Sequence, residues 1–198
     1  MTQELIDRRR AQILTAARRV FARQGFHRTT VREVAREAGL ADGTIYLYFA
    51  NKQDLLLALL GQLGRVGERR ADFAGLAGMD ARASMESYLR RRLEDLRAWR
   101  ELFMAVFPEV LADPGLRAAQ AAQTVPAFEA AEAELARRME SGELRALDPA
   151  LLARAEAATA LGLLVLDILG DRVVDNRWGE LPSLLTSLWF EGLRPEGR

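Results

Sequence analysis

The chain has 198 residues, 49% of them hydrophobic, with 28 basic and 28 acidic side chains, one histidine and no cysteine. That size and composition suit one or two globular domains. They exclude a disulfide, a thiolate metal site and a histidine-based metal cluster, and nothing in the sequence calls for a cofactor. No apolar run reaches the ~18 residues of a membrane span, and MTQELIDRRR carries no apolar segment behind its charges to act as a secretory signal. A cytoplasmic protein without a membrane partner is the expectation.

The net charge of zero is unevenly divided. Residues 1–60 hold ten basic and six acidic side chains, a balance of +4, whereas 61–198 hold 18 and 22, a balance of −4. Nucleic-acid affinity depends on where cations meet phosphates, so a basic head on an acidic body is compatible with duplex binding. The single lysine, Lys52, lies in this basic part.

In chain order, Arg8, Arg9 and Arg10 form a basic entry to an amphipathic helix. Ile13, Leu14, Ala17, Val20 and Phe21 make its apolar stripe, and Gly25 closes it. The arginines read either as a solvated helix end or as phosphate contacts on the flanks of a duplex. His27 reads as a solvated loop residue. Thr30 and Glu33 stand three apart, the spacing of a capping box. Val31, Val34, Ala35 and Ala38 then recur at helical spacing, and Gly39 sits where a chain leaving a helix often takes a positive φ. Arg28 and Arg32 flank this cap, and Arg32 is placed to reach a guanine edge or a phosphate.

A second short helix is expected from about Asp42 to about Phe49, with Ile45 and Phe49 turned inward. Ala41, Asp42, Gly43, Thr44, Tyr46, Leu47 and Tyr48 supply the small, hydroxylic and aromatic groups of an outer face able to approach a groove, although Tyr48 also suits packing. Two helices across a glycine-bearing turn suggest helix-turn-helix. Asn51 caps the next helix with Asp54. Lys52 is left in its first turn, where a cation is unfavourable unless an anion is near.

The spaced set Arg10, Ile13, Leu14, Ala16, Ala17, Phe21, Gly25, Phe26, Thr29, Thr30, Ala35, Ala38, Gly39, Gly43, Thr44, Tyr46, Tyr48, Phe49, Lys52 and Leu55 closely resembles the DNA-binding domain of the tetracycline-repressor (TetR) family. The resemblance covers roughly the first 60 residues. It implies an all-α homodimer, an N-terminal three-helix helix-turn-helix domain, a C-terminal helical domain for ligand binding and dimerisation, and usually repression of transcription. Two positions depart from the family pattern: Ala41 stands where a capping serine is common, and Asp42 where a polar or basic residue is more usual. Domain limits of 1–50 and 51–198 follow, with 51–75 as a connecting helix.

That connecting helix carries Leu55, Leu56, Leu59, Leu60, Leu63 and Val66 on a broad apolar face, with Gly61, Gly64 and Gly67 spaced three apart. Interior glycines cost up to about 1 kcal/mol each relative to alanine, which points to close helix approach or to a soft connector. After a small-residue break at Gly75–Met79, Asp80 caps a helix running through Tyr88 to Trp99. The next segment carries Phe103 and Phe107 before Pro108. Asp113-Pro114 restarts the chain as cap and first helical residue. The alanine-rich helix that follows bears Phe128, with Pro126 expected to break or kink it and Gly142 to end it.

Tyr88, Trp99, Phe103, Phe107 and Phe128 read either as ordinary core or as the wall of an apolar small-molecule cavity, and the family resemblance points to such a cavity here. Asp148-Pro149 starts a helix containing ALGLLVLDIL, apolar almost all round, which must be covered on every side. The last helix opens near Pro182. Leu161 and Val165 on the first of these, and Leu181, Leu185, Leu188 and Trp189 on the second, suggest a homodimer interface built as a four-helix bundle. Asp167, an acid within the apolar run, needs an arginine, water or a cationic ligand.

The expected protein is therefore a one-component regulator binding double-stranded operator DNA and a small-molecule effector, with an activator or a helical adaptor as alternatives. An enzyme is not expected. The five serines sit in no recognisable catalytic setting, and no phosphate-cradling loop or nucleophile-base pair is present.

Overall fold

The computed structural model describes residues 2–65 and 80–193. Among these residues every regular element is helical: α1 Gln3–Gln24, α2 Val31–Glu37, α3 Asp42–Ile45, α4 Lys52–Arg65, α5 Ala81–Ala98, α6 Arg100–Ala112, α7 Pro114–Glu140, α8 Pro149–Ile168, α9 Arg172–Asn176 and α10 Leu181–Leu193, with a 3-10 turn at Trp178–Glu180. They form two compact units, one drawn from Met1–Leu63 and Trp99–Gln123, the other from Gly64–Ala98 and Thr124–Arg198. The expectations for Val66, Gly67 and the break at Gly75–Met79 lie outside the described residues.

In the first unit α1 packs on α2 and α6. Its apolar stripe, Ile13, Leu14, Ala17, Val20 and Phe21, is buried as the helical period requires, together with Val34, Ala35, Ile45, Phe49, Leu55, Leu56 and Leu59. Leu102, Val106 and Val110 of α6 complete this core. The basic triplet does not begin the helix. α1 starts at Gln3, so Arg8, Arg9 and Arg10 lie within its length and Gly25 closes it at φ +79°.

In the second unit α5 packs on α8 and α10, burying Leu89, Leu93 and Leu164 completely. The Asp-Pro starts behave as their chemistry predicts. Asp113 Oδ1 accepts from the Gly115 and Leu116 amides at 2.7 and 3.0 Å, and Asp148 Oδ1 from Ala150 and Leu151 at 2.8 and 3.0 Å. Pro126 does not break its helix, and α6 likewise continues past Pro108. Both prolines are exposed, so the carbonyl each deprives of a donor stays open to solvent and the adjoining turns continue.

Candidate functional site

The unit of α2, its turn and α3 is assembled from local signals. Thr30 and Glu33 form the reciprocal cap: the Thr30 amide donates to Glu33 Oε2 at 2.8 Å, and the Glu33 amide to Thr30 Oγ1 at 3.3 Å. The Gln24 side-chain amide adds a third bond to the same carboxylate at 3.0 Å. These donors, the Thr30 backbone first and Gln24 next, hold the Glu33 carboxyl below its usual range. At the other end of α2 the Leu40 amide reaches the Ala35 carbonyl at 2.9 Å and the Gly39 amide the Arg36 carbonyl at 3.1 Å. That pair of bonds is a Schellman motif, and it requires the φ of +67° that Gly39 adopts.

α3 is shorter than its pattern predicts. It ends at Ile45, and the chain continues as a turn, with Leu47 and Tyr48 bonding back three residues to Thr44 and Ile45 at 3.2 and 2.9 Å. Ala41 at its start offers no side-chain acceptor, so the four-residue helix lacks a side-chain cap. Ile45 and Phe49 are buried against the core, whereas Tyr46 and Leu47 are 57% and 78% exposed. Ala41, Asp42 and Gly43 are also exposed, Thr44 is half-buried, and Tyr48 packs in part against the core. A Cβ placed on Gly43 would meet nothing within 4 Å in this chain. Internal packing therefore does not explain that glycine.

The basic residues divide by environment. Arg28 and Arg32 are exposed, and Arg32 Nε lies 3.3 Å from Asp42 Oδ2, so the acid at the start of α3 has a cation beside it. Arg10 instead donates to the Tyr48 carbonyl at 2.7 Å and stacks 4.3 Å above the Phe49 ring. Lys52, which the sequence leaves looking for an anion, donates to the Phe26 and His27 carbonyls at 2.8 and 3.2 Å and lies 4.4 Å over the Phe26 ring. Partial negative charge on two carbonyls answers its position at a helix start. His27 is not merely solvated, because its Nε2 meets Glu109 Oε2 at 2.6 Å.

In the second unit a cavity of about 80 Å³, partly open to solvent, lies between α5, α7 and α8. Tyr88 and Phe128 line it, as do Arg92 and Glu156, two residues the sequence reading missed. Arg92 and Glu156 lie on separate helices far apart in the sequence, so no local pattern signals their meeting. Burial pushes the Glu156 carboxyl up to about 7, with Arg92 pulling the other way. The remaining cavity expectations fall elsewhere. Phe103 and Phe107 stack at 4.2 Å in the first unit, where Trp99 lies under the Arg18 guanidinium at 4.2 Å. Asp167 is buried beside Arg97, Nη2 to Oδ1 3.4 Å, and the same guanidinium bonds Asp175.

The terminal helices are only partly covered within the chain. Leu181 and Leu185 are buried and Leu161 and Trp189 half-buried, but Leu166, Leu169, Val173, Leu184 and Leu188 are 42%, 75%, 66%, 53% and 62% exposed, and Val165 is 36% exposed. Leu181 and Leu185 are therefore core of the protomer. The uncovered apolar surface belongs to their neighbours.

The family model described as bacterial regulatory proteins, tetR family, matches residues 13–59, the stretch that holds α2, α3 and the turn between them. The transcriptional repressor AcnR of Corynebacterium efficiens is 30% identical over 138 residues, covering 69% of this chain and 69% of that protein. The chain belongs to the tetR family. Another relative, the fatty acid metabolism regulator protein of Bacillus subtilis, is 49% identical over 59 residues, but the match spans only 29% of this chain and 30% of that relative's length. The tetR-family chain also superposes on the crystal structure of the transcriptional regulator FadR from Bacillus subtilis in complex with stearoyl-CoA, with a TM-score of 0.73 at 26% identity over 89% of this chain and 97% of that one. Among the described residues, no helix is long and apolar enough to cross a membrane.

Proposed function

We propose that this chain is a one-component repressor: a homodimer that binds double-stranded operator DNA through the segment 41–48 and is released when a small molecule occupies the cavity of its second unit. The observation that carries the reading is the pair Tyr46 and Leu47, held in water by a four-residue helix whose Ile45 is fully buried. Exposed aromatic and aliphatic side chains on a rigid, basic-flanked element suit thymine methyls and phosphates in a major groove. Thr44, Tyr46, Leu47 and Tyr48 contact DNA in this reading, with Arg28, Thr30 and Arg32 on the flanking strand. Arg10 and Lys52 act as supports of the element.

Repression is supported by the likeness to AcnR, and a small-molecule effector by the cavity and by the acyl-CoA complex of the FadR structure. Exposed Leu169, Val173 and Leu188 support pairing with a second copy. Two reading elements then address half-sites about 34 Å apart. Effector coupling of the usual 1–3 kcal/mol lowers operator affinity about 5- to 150-fold.

Selecting tight binders from a random duplex pool and titrating the winner with salt tests the reading. A palindromic site whose affinity falls steeply with salt is expected. Failure to enrich any sequence, or binding indifferent to salt, would refute it.

A further inference from the structure

Arg92 and Glu156 line the same small cavity without forming an ion pair within 4.0 Å, and neither makes a side-chain hydrogen bond among the described residues. Two opposite charges that are half-buried in one cavity gain by closing on one another, because desolvation penalises each alone. Held apart, they leave a gap with a donor on one side and a carboxyl on the other. Besides Thr124, the rest of the lining is alanine and aromatic, with Tyr88 and Phe128 the largest groups. The other nearby arginine is engaged elsewhere: Arg154 pairs with Glu132 at 2.7 Å and covers the Phe128 ring at 4.7 Å. From α5, Tyr88 and Arg92 are the titratable groups facing Glu156, and the α7 lining supplies none.

The two charges are not equivalent. A guanidinium keeps its charge throughout the physiological range, whereas a carboxyl raised by burial to about 7 is neutral in roughly half the molecules near pH 7. An ammonium ligand would meet a fixed like charge beside a conditional partner. An anion would meet a fixed opposite charge beside a group that becomes a donor by taking up a proton. We propose that this cavity takes a small apolar carboxylate, its head on the Arg92 guanidinium beside Glu156 and its hydrocarbon body against Tyr88 and Phe128. This assignment of ligand class rests on the effector reading above. It adds that effector binding favours the protonated form of the Glu156 carboxyl and so draws protons from the buffer.

Calorimetry on the full chain at pH 7 with benzoate, benzylamine and benzyl alcohol, each in PIPES and in imidazole, tests this without DNA. Benzoate is expected to bind at least tenfold more tightly than benzylamine or benzyl alcohol. The buffer dependence of its heat should report uptake of about half a proton per ligand. Arg92→Gln should lose at least tenfold in benzoate affinity, and Glu156→Gln should abolish the proton uptake. Preference for benzylamine, equal binding of all three, or no binding of any would overturn the proposal. The ligand comparison on the unaltered protein decides even where a variant folds poorly. Operator binding is measured separately, so its loss or survival leaves these outcomes readable.

Discussion

The Arg10 guanidinium, on α1, donates to the backbone carbonyl of Tyr48 at 2.7 Å across 38 residues of sequence. Tyr48 closes the turn that follows α3, so the arginine fixes the end of the element bearing Tyr46 and Leu47, while the Phe49 ring 4.3 Å away holds the guanidinium in place. A hydrogen bond from a charged donor to a partly buried carbonyl contributes about 1.5–3 kcal/mol. Arg10→Met should therefore lower unfolding stability by that amount, measured by urea denaturation. The salt slope of operator binding should change by less than the roughly one unit lost with a phosphate contact. A changed slope at unchanged stability would make Arg10 a phosphate ligand instead.

Gly43 offers a complementary test. No atom of this chain lies within 4 Å of a Cβ at that position, and its φ is ordinary, so Gly43→Ala should leave stability unchanged or raise it by up to ~1 kcal/mol. If a duplex approaches the start of α3 closely, the added methyl should weaken operator binding at least tenfold in an anisotropy titration. Unchanged affinity would place the groove elsewhere.

On α10, neighbouring leucines should respond in opposite ways. Leu188 is 62% exposed and Leu185 only 7%. Leu188→Glu should give a folded monomer by sedimentation and abolish binding to a palindromic operator. Leu185→Glu buries a charge and should destabilise each protomer by several kcal/mol. A dimeric Leu188→Glu variant would rule out this face as the interface.

The Glu156 carboxyl sets a pH dependence with a definite sign. Its folded value, raised to about 7 by burial, lies above the ordinary 4.5 of a glutamate, so between these limits the folded state binds more protons than the unfolded chain. Stability contributed here is greatest at the acidic end and declines as pH rises through 7. Removing the charge by Glu156→Gln should stabilise the half-buried site by about 1–3 kcal/mol at pH 8 and by less at pH 5. Equal effects at both pH values would show that the carboxyl titrates normally.

Much of the first unit is legible because its signals are local. Thr30 with Glu33, Asp113 with Pro114, and Gly39 act on backbone groups within five residues, so their types and spacing suffice to predict caps and turns. The length of α3 is less so. The apolar pair Ile45 and Phe49 fits a helix through Phe49, yet the bonds from Leu47 and Tyr48 tighten to three-residue spacing and the helix stops at Ile45. Periodicity records which residues face inward and is nearly blind to that change.

By itself the amino-acid sequence determined the helical class, the turn between α2 and α3, the exposure of Tyr46 and Leu47 beside a buried Ile45 and the membership such a pattern implies, since each follows from chemistry acting over one or two helical turns. Only the tertiary structure decided that Lys52 serves carbonyls of Phe26 and His27, that Arg92 and Glu156 share a cavity while Asp167 turns to Arg97, and which leucines of the last helix stay uncovered. Those outcomes depend on groups from separate helices arriving at one place, where desolvation and partner distance, rather than residue type, set what each side chain does.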